Sequence, residues 1–483
     1  MDSLKGWLRG LPERHGRKTL LLLAAILVIG FGLRAYRVVE PLSTPGDDSR
    51  AYYALSKALY EEASYGGPNF EDSSDWSPGA PLLYAASFYA TGGAREGTAR
   101  ILGLLFGLAA IVVVYLLGRR INCRPTGLLA AFAVAVYPPF IHSTGALFSE
   151  PAAIFTLPAA VLAFLWAADG LDPGSSRGRR GAGGSRTARG LPAGPPASRQ
   201  DPRASYARWL LPGLLFGATA LIRPEYLLVG IAFVGLALIQ GWRERGWKPG
   251  LTGAALLAVG LLLPILPWAV RNQLVLDRTV PISTGGGKAL YVGTLLPADG
   301  EYQRAKALLV SRYLNRDLEP GSEALDRVDP TPLFDNVAAR YPDLPRDEAL
   351  GKVGKDNFSK YFGEDSGGYA AMTVRKVWRM WSGGVGEAMS STAGRVTQTL
   401  IVALAIAGLG LLAWRRRWWL LAVMATPLAL VTAVGAASLA ASRRNEVLMT
   451  LIFPLAAAVL SRGTAALLSR RQWPSTQASS PPS

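Results

Sequence analysis

The sequence predicts an all-α polytopic membrane protein with about ten transmembrane helices, and three observations lead there. Half of the 483 residues are hydrophobic and only 18% are charged. The apolar residues gather in runs longer than a soluble core uses. The chain holds 51 Lys and Arg against 34 Asp and Glu, a formal charge of +17, but these cations punctuate the apolar runs instead of forming one basic face. That pattern belongs to a membrane protein, and nucleic acid is not an expected partner.

A helix crosses the bilayer with about 20 mainly apolar residues. Runs at about 19–38, 98–117, 125–140, 150–168, 208–222, 225–241, 250–270, 397–414, 418–438 and 446–466 meet or approach that length. Arg223, Pro224 and Glu225 divide what would otherwise be one run too long for a single span, and the proline supplies the turn. The first run is too long for a cleavable leader. Arg34 and Arg37 follow it where a small-residue cleavage site would stand, so it is expected to remain as a span.

With ten spans, the arginine-rich connections fall on one side. They are the N-terminus, the loop with Arg119, Arg120 and Arg124, the loop with Arg177 to Arg189, the loop with Arg243 and Arg245, the group Arg415 to Arg417, and the tail with Arg470 and Arg471. That side is the cytoplasm, which places both termini there in a plasma or inner membrane. Residues 170–208 are rich in Gly, Pro, Ser and Arg without periodicity, and read as a flexible cytoplasmic loop. The expected organisation is a membrane module at 1–271 with an external loop at 40–97, an external segment at 272–395, further membrane helices at 396–470 and a tail at 471–483.

Cys123 is the one cysteine, so no intrachain disulfide can form; with His15 and His142 as the two histidines, Cys-rich and His-rich metal centres are excluded. No metal and no cofactor is expected.

The external segments collect aromatic and acidic residues, and long loops of this kind usually carry function. The first has helical periodicity from Ser49 to about Ala63, with Tyr52, Leu55 and Leu59 on one face, as in a helix lying at the bilayer surface. Asp47 and Asp48 stand at its start, where aspartate is a good N-cap and where a helix end can also fix a catalytic carboxylate. Asp75 precedes Pro78 and Pro81 and a second apolar helix too short to span. The run Ser283 to Lys288 lacks the spacing of a nucleotide phosphate loop and reads as a glycine-rich turn. Tyr369–Trp381, with Arg375, Lys376, Arg379, Trp378 and Trp381, reads as a basic aromatic interfacial helix.

A carboxylate just after the first span, a juxtamembrane helix, and then the stretch Ser77 to Tyr84 resemble the GT-C glycosyltransferases, nearest to the branch of protein O-mannosyltransferases and lipid A aminoarabinose transferase. Asp48, Tyr52 and Ser56 fit that family's pattern of an acid, a tyrosine four on and a small residue eight on. Pro138 and Pro139 through Glu150 and Pro151, Leu221 through Pro224, and Pro267 through Asn272 resemble later turns of the same family, so the likeness covers about residues 19–300.

The resemblance implies a sugar donor held in the membrane as a polyprenyl phosphate, transfer outside the cytoplasm with inversion, and Asp48 as general base. Asp47 is the runner-up, one residue out of register. A leaving lipid phosphate wants positive charge and little acid help, whereas the acceptor hydroxyl or amine needs one base. Candidate donor- or acceptor-binding residues are Tyr52, Asp75, His142, Glu150, Arg223, Arg271 and Arg444. The arginines are singled out because the positive-inside rule disfavours them on the outer face. Membrane lipids are further partners, and the acceptor is unspecified.

A transporter or lipid-linked sugar flippase is the alternative, but no inverted repeat and no mid-span acidic residues are evident. An oligosaccharyltransferase would need a metal-binding acidic set and an external Trp-Trp-Asp motif. Here Trp418 and Trp419 are followed by Leu420 on the cytoplasmic side.

Overall fold

The computed structural model describes residues 16–40, 47–66, 73–169 and 207–471. Among the described residues the regular structure is helical, without strands. The helices are α1 (Arg17–Val39), α2 (Asp47–Glu62), α3 (Gly79–Thr91), α4 (Glu96–Ile121), α5 (Arg124–Val136), α6 (Pro138–Gly145), α7 (Glu150–Asp169), α8 (Leu210–Ile222), α9 (Tyr226–Arg245) and α10 (Trp247–Leu276). Then follow α11 (Gly286–Thr294), α12 (Tyr302–Leu314), α13 (Glu323–Asp326), α14 (Thr331–Ala338), α15 (Arg346–Glu364), α16 (Ser366–Ser382), α17 (Glu387–Ser390), α18 (Thr392–Trp414), α19 (Trp418–Ala437) and α20 (Arg443–Arg471).

Eight of these helices are long and apolar enough to cross a membrane, or nine if the bent pair α5 and α6 is one span. The fifth expected span, 208–222, is the 13-residue α8. At 1.5 Å per residue it is shorter than the bilayer core. It ends where Arg223 turns extended ahead of Pro224. Most of the expected loop 170–208 lies outside the described residues.

The chain divides into two units, residues 1–158 with 283–483, and residues 159–282. In the second, α10 packs against both α8 and α9. Phe216 and Phe233 meet at 4.4 Å between centroids, and Phe164 and Trp209 at 5.3 Å, edge to face. Trp268 and Asn272, one helical turn apart on α10, hold the returning chain: Trp268 Nε1 donates to Ile282 O at 3.0 Å, and Asn272 Nδ2 to Val280 O at 3.0 Å.

In the first unit, α1, α4, α5, α18 and α20 pack as long helices. One junction there is written in the sequence. Pro138 and Pro139 have no N–H, so the carbonyls of Val134 and Ala135, four residues earlier, lose their helical donors. The helix stops at Val136, and the pair α5 and α6 bends by 46°. The fully buried Arg34 of α1 supplies the missing donors, Nη2 to Val134 O and Nη1 to Ala135 O, both at 2.9 Å.

The segment after Ser283 has a core of its own. Tyr291, Val292, Leu309, Phe334, Leu350 and Val353 are buried together. The expected glycine-rich turn leads into α11 at Gly286. The expected basic aromatic helix is α16. Buried Lys376 of α16 donates to Gly293 O at 2.7 Å and Ala436 O at 2.9 Å, tying α11 to the end of α19.

Candidate active site

Asp48, Tyr52 and Ser56 recur every fourth residue, so they line one face of α2. Ser56 is fully buried and its hydroxyl donates to Tyr52 O at 2.5 Å, so the small residue of the motif is a packing requirement. The buried Tyr52 ring meets Trp76 edge-on at 5.3 Å and joins Tyr84, Phe88 and Leu147 in one apolar cluster between α2 and α3. This clamps Asp48 in place at the first turn of α2.

Tyr84 reaches on from that cluster. Its hydroxyl donates to Phe148 O at 2.6 Å. The Phe148 ring lies under the Arg443 guanidinium, 4.5 Å from Cζ to centroid. Arg443 Nε and Nη2 grip Glu150 Oε1 and Oε2 at 2.8 and 3.0 Å, a bidentate pair, and Nη1 bonds Asp48 Oδ2. Residues 48, 150 and 443 thus meet at the N-termini of α2, α7 and α20. A helix N-terminus favours carboxylates and disfavours a cation. The two acids suit their positions, and they offset the unfavourable one of Arg443.

Burial differs across the three. The Glu150 side chain is 0% exposed, whereas Arg443 is 30% and Asp48 35% exposed. Burial, and then the charges of Asp48 and Glu150, push the Tyr52 phenol up to about 12. Tyr52 therefore stays protonated at neutral pH, as a hydrogen-bond donor and not a base.

The other sequence candidates are placed as follows. His142 of α6 lies at the edge of this group, its ring 6.4 Å from that of Phe148. Asp75 accepts from Thr284 Oγ1 at 2.7 Å and faces Arg346 Nη1 at 3.5 Å, so it fastens the first loop to the segment after Ser283 and does not bond to the three charges. Asp47 is the first residue of α2, and its side chain lies outside the described atoms. The sequence singled out Arg444. The structure brings its neighbour Arg443 onto the carboxylates instead, and Arg444 Nη1 lies 3.4 Å from Ser438 Oγ. Arg443 is the residue that sequence reasoning missed. The paired arginines at one end of the last span were the available signal, but neighbours on a helix point about 100° apart, and only packing says which one faces α2 and α7.

Arg223 and Arg271 belong to the second unit. Arg223 Nε is 3.2 Å from Glu225 Oε1, both side chains being largely buried. Arg271 donates to Asn272 Oδ1 at 3.1 Å and lies over the Trp268 ring. Among the described residues no group of three or more His, Cys, Asp or Glu side chains stands close enough to hold a metal ion.

Residues 78–183 match the family described as dolichyl-phosphate-mannose-protein mannosyltransferase. That segment supplies Tyr84, Phe148 and Glu150, and its last part, 170–183, lies outside the described residues. No curated protein sequence matches the chain.

Among solved structures, the chain is similar to the archaeal oligosaccharyltransferase AglB from Archaeoglobus fulgidus in complex with an inhibitory peptide and a dolichol-phosphate. The TM-score is 0.50 and the identity 14%, over 97% of this chain and 53% of that one. The Archaeoglobus fulgidus oligosaccharyltransferase tethered with an acceptor peptide gives 0.50 and 14%, over 94% and 51%. The chain therefore spans about half the length of these neighbours. ArnT from Cupriavidus metallidurans bound to undecaprenyl phosphate is 15% identical over 95% of this chain and 81% of that one, at a TM-score of 0.36 that establishes no shared fold. The mannosyltransferase-like segment thus lies within a chain whose fold is similar to that of the archaeal oligosaccharyltransferase.

Proposed function

We propose that the chain transfers a sugar from a polyprenyl-phosphate donor to a hydroxyl or amine acceptor on the extracytoplasmic face of the membrane, with inversion. The observation that carries this reading is the meeting of Asp48, Glu150 and Arg443 at three helix N-termini. It gives one placed carboxylate and one placed cation, which is what this chemistry needs. The bound dolichol-phosphate of the fold neighbour AglB supports the donor class.

In the proposed reaction the acceptor oxygen or nitrogen attacks the anomeric carbon. The bond from that carbon to the phosphate oxygen breaks, and its electron pair leaves on the phosphate. The acceptor's proton passes to Asp48. One base suffices because the leaving phosphate needs no protonation. Hydrolases of glycosidic bonds, with poorer leaving groups, use two carboxyl groups. Tyr52, neutral and buried, holds the α2 end against α3 while the proton moves.

Metal-independent chemistry is part of the proposal, with the prediction that transfer from a synthetic polyprenyl-phosphate sugar persists after EDTA treatment. Loss of transfer with EDTA and recovery with a divalent cation would refute that part. Mass spectrometry of envelope lipids, glycans and glycoproteins with and without the gene tests the whole reading. An unchanged set of glycoconjugates argues for the transporter alternative. Impermeant labelling of a cysteine placed at 185, with Cys123 replaced, tests the face. Labelling in intact cells would invert the assigned orientation.

A further inference from the structure

We infer that Arg443 is an exchange cation: anchored by Glu150, it exchanges Asp48 for the phosphate of the donor, so that donor binding is what frees Oδ2 of the base. The inference rests on the transferase reading above and names how that same site is regulated.

Asp48 Oδ2 accepts from Arg443 Nη1. An oxygen facing an N–H is not open on that side to the acceptor's O–H or N–H, so the site as it stands holds Oδ2 engaged and leaves Oδ1 as the carboxylate's other acceptor. The two carboxylates are not equivalent. Glu150 takes both Nε and Nη2 and its side chain is fully buried. Asp48 takes one N–H and is 35% exposed. Breaking the Glu150 pair would strand a buried charge, a large cost, whereas releasing Asp48 returns it toward solvent at small cost. The half of the guanidinium that can change partner is therefore the Nη1 side, and the Phe148 face beneath it keeps the plane fixed.

Charge favours the exchange in one direction. Asp48, Glu150 and Arg443 sum to one net negative charge, so an arriving phosphate gains from these three groups by taking the Nη1 side. A sugar phosphodiester carries one negative charge, and the leaving phosphate monoester develops a second. The interaction with Arg443 thus grows along the reaction, the condition for accelerating it. As Asp48 accepts the acceptor's proton it becomes neutral and stops competing for Arg443.

The test uses the full chain in nanodiscs with farnesyl phosphate, a short polyprenyl phosphate, as radiolabelled ligand. If Asp48 competes with the phosphate, Asp48→Asn should bind it about three- to tenfold tighter even as turnover is lost, the size expected for relieving one partly exposed charge contact. Arg443→Gln should bind more weakly than the unaltered protein. In the double variant the gain from Asp48→Asn should vanish, because it acts through Arg443. Unchanged or weaker binding in Asp48→Asn overturns the exchange, and that single variant decides the matter even if Arg443→Gln does not fold. A gain that persists without Arg443 also overturns it, because it would be simple relief of repulsion. Inorganic phosphate should compete poorly; equal competition would make this a site for free phosphate and reject the lipid-linked ligand. Failure here leaves the transferase reading standing if Asp48→Asn still abolishes turnover.

Discussion

Arg34 and Arg443 are two arginines of the same unit, and they differ in the kind of partner that holds them. Arg34 is fully buried, and its Nη1 and Nη2 donate to the carbonyls of Gly30, Val134 and Ala135. Arg443 is partly exposed and held by two carboxylates. A carbonyl freed by a proline has nowhere else to turn inside a membrane, so the Arg34 contacts are permanent and rivet α1 to the α5–α6 bend. A carboxylate at a helix end near solvent can be solvated again, so the Arg443 contacts can be exchanged. The difference separates a cation that makes the fold from the cation that we propose serves chemistry.

The largest expected effect lies on the Arg443 side. Asp48→Asn keeps the side chain's size, so the melting temperature should hold. Turnover should fall by about 10²- to 10⁴-fold, the usual contribution of a general base. Asp47→Asn should cost far less. If Asp48→Asn retains near-normal turnover and Asp47→Asn is inactive, the base moves by one residue. If both stay active, the base lies elsewhere and Glu150 is next.

The Arg34 side should respond in the opposite sense. A methyl added at Gly107 would press into Arg34 Nε and Cδ, whereas Gly32 has open space. Gly107→Ala is expected to destabilise the protein by about 1–3 kcal/mol, read as a lower melting temperature in detergent, with normal turnover per folded molecule. Gly32→Ala is the control. A Gly107→Ala protein as stable as the control would remove the rivet.

Lys376 offers a second buried cation held by carbonyls, this time outside the spans. Burial, then the nearby Arg379 and Arg444, lowers its folded value from 10.5 to about 8. Since the folded value lies below the unfolded one, the protonated form is penalised in the folded state. Stability should therefore rise as pH goes from about 8 to 10.5 and be flat outside that window with respect to this group. The gain is about 2–3 kcal/mol at most. Lys376→Met should flatten this part of the pH profile of thermal unfolding. An unaltered slope in the variant would assign it to other groups.

The smallest effect belongs to Asp75, which joins two loops through Thr284 and Arg346. Asp75→Asn should lower stability by about 1 kcal/mol or less, as for partly exposed polar contacts, and leave turnover within a few-fold. A loss comparable to that of Asp48→Asn would bring Asp75 into the reaction.

Much of this was readable in the sequence because it is local. Apolar runs gave the long helices, and the spacing of Asp48, Tyr52 and Ser56 gave the face of α2. Pro138 and Pro139 announced a break. Non-local facts were not readable. The length of α8 was one of them: the apolar run there satisfies hydropathy, but the described helix is 13 residues long. The stretch Ser77–Tyr84 was singled out by its resemblance to a family, but its physical task, Tyr84 holding Phe148 beneath Arg443, appears only in three dimensions.

What the sequence alone determined, then, is where helices begin and end and which carboxylates stand at their starts, since backbone donors, proline and periodicity act over four residues or fewer. What the tertiary structure decided is pairing: Arg34 with carbonyls a hundred residues on, and Arg443, not Arg444, with Asp48 and Glu150. The physical reason is that a helix fixes the direction of each side chain only relative to its own axis. Which direction meets a partner is set by how the helices pack against one another.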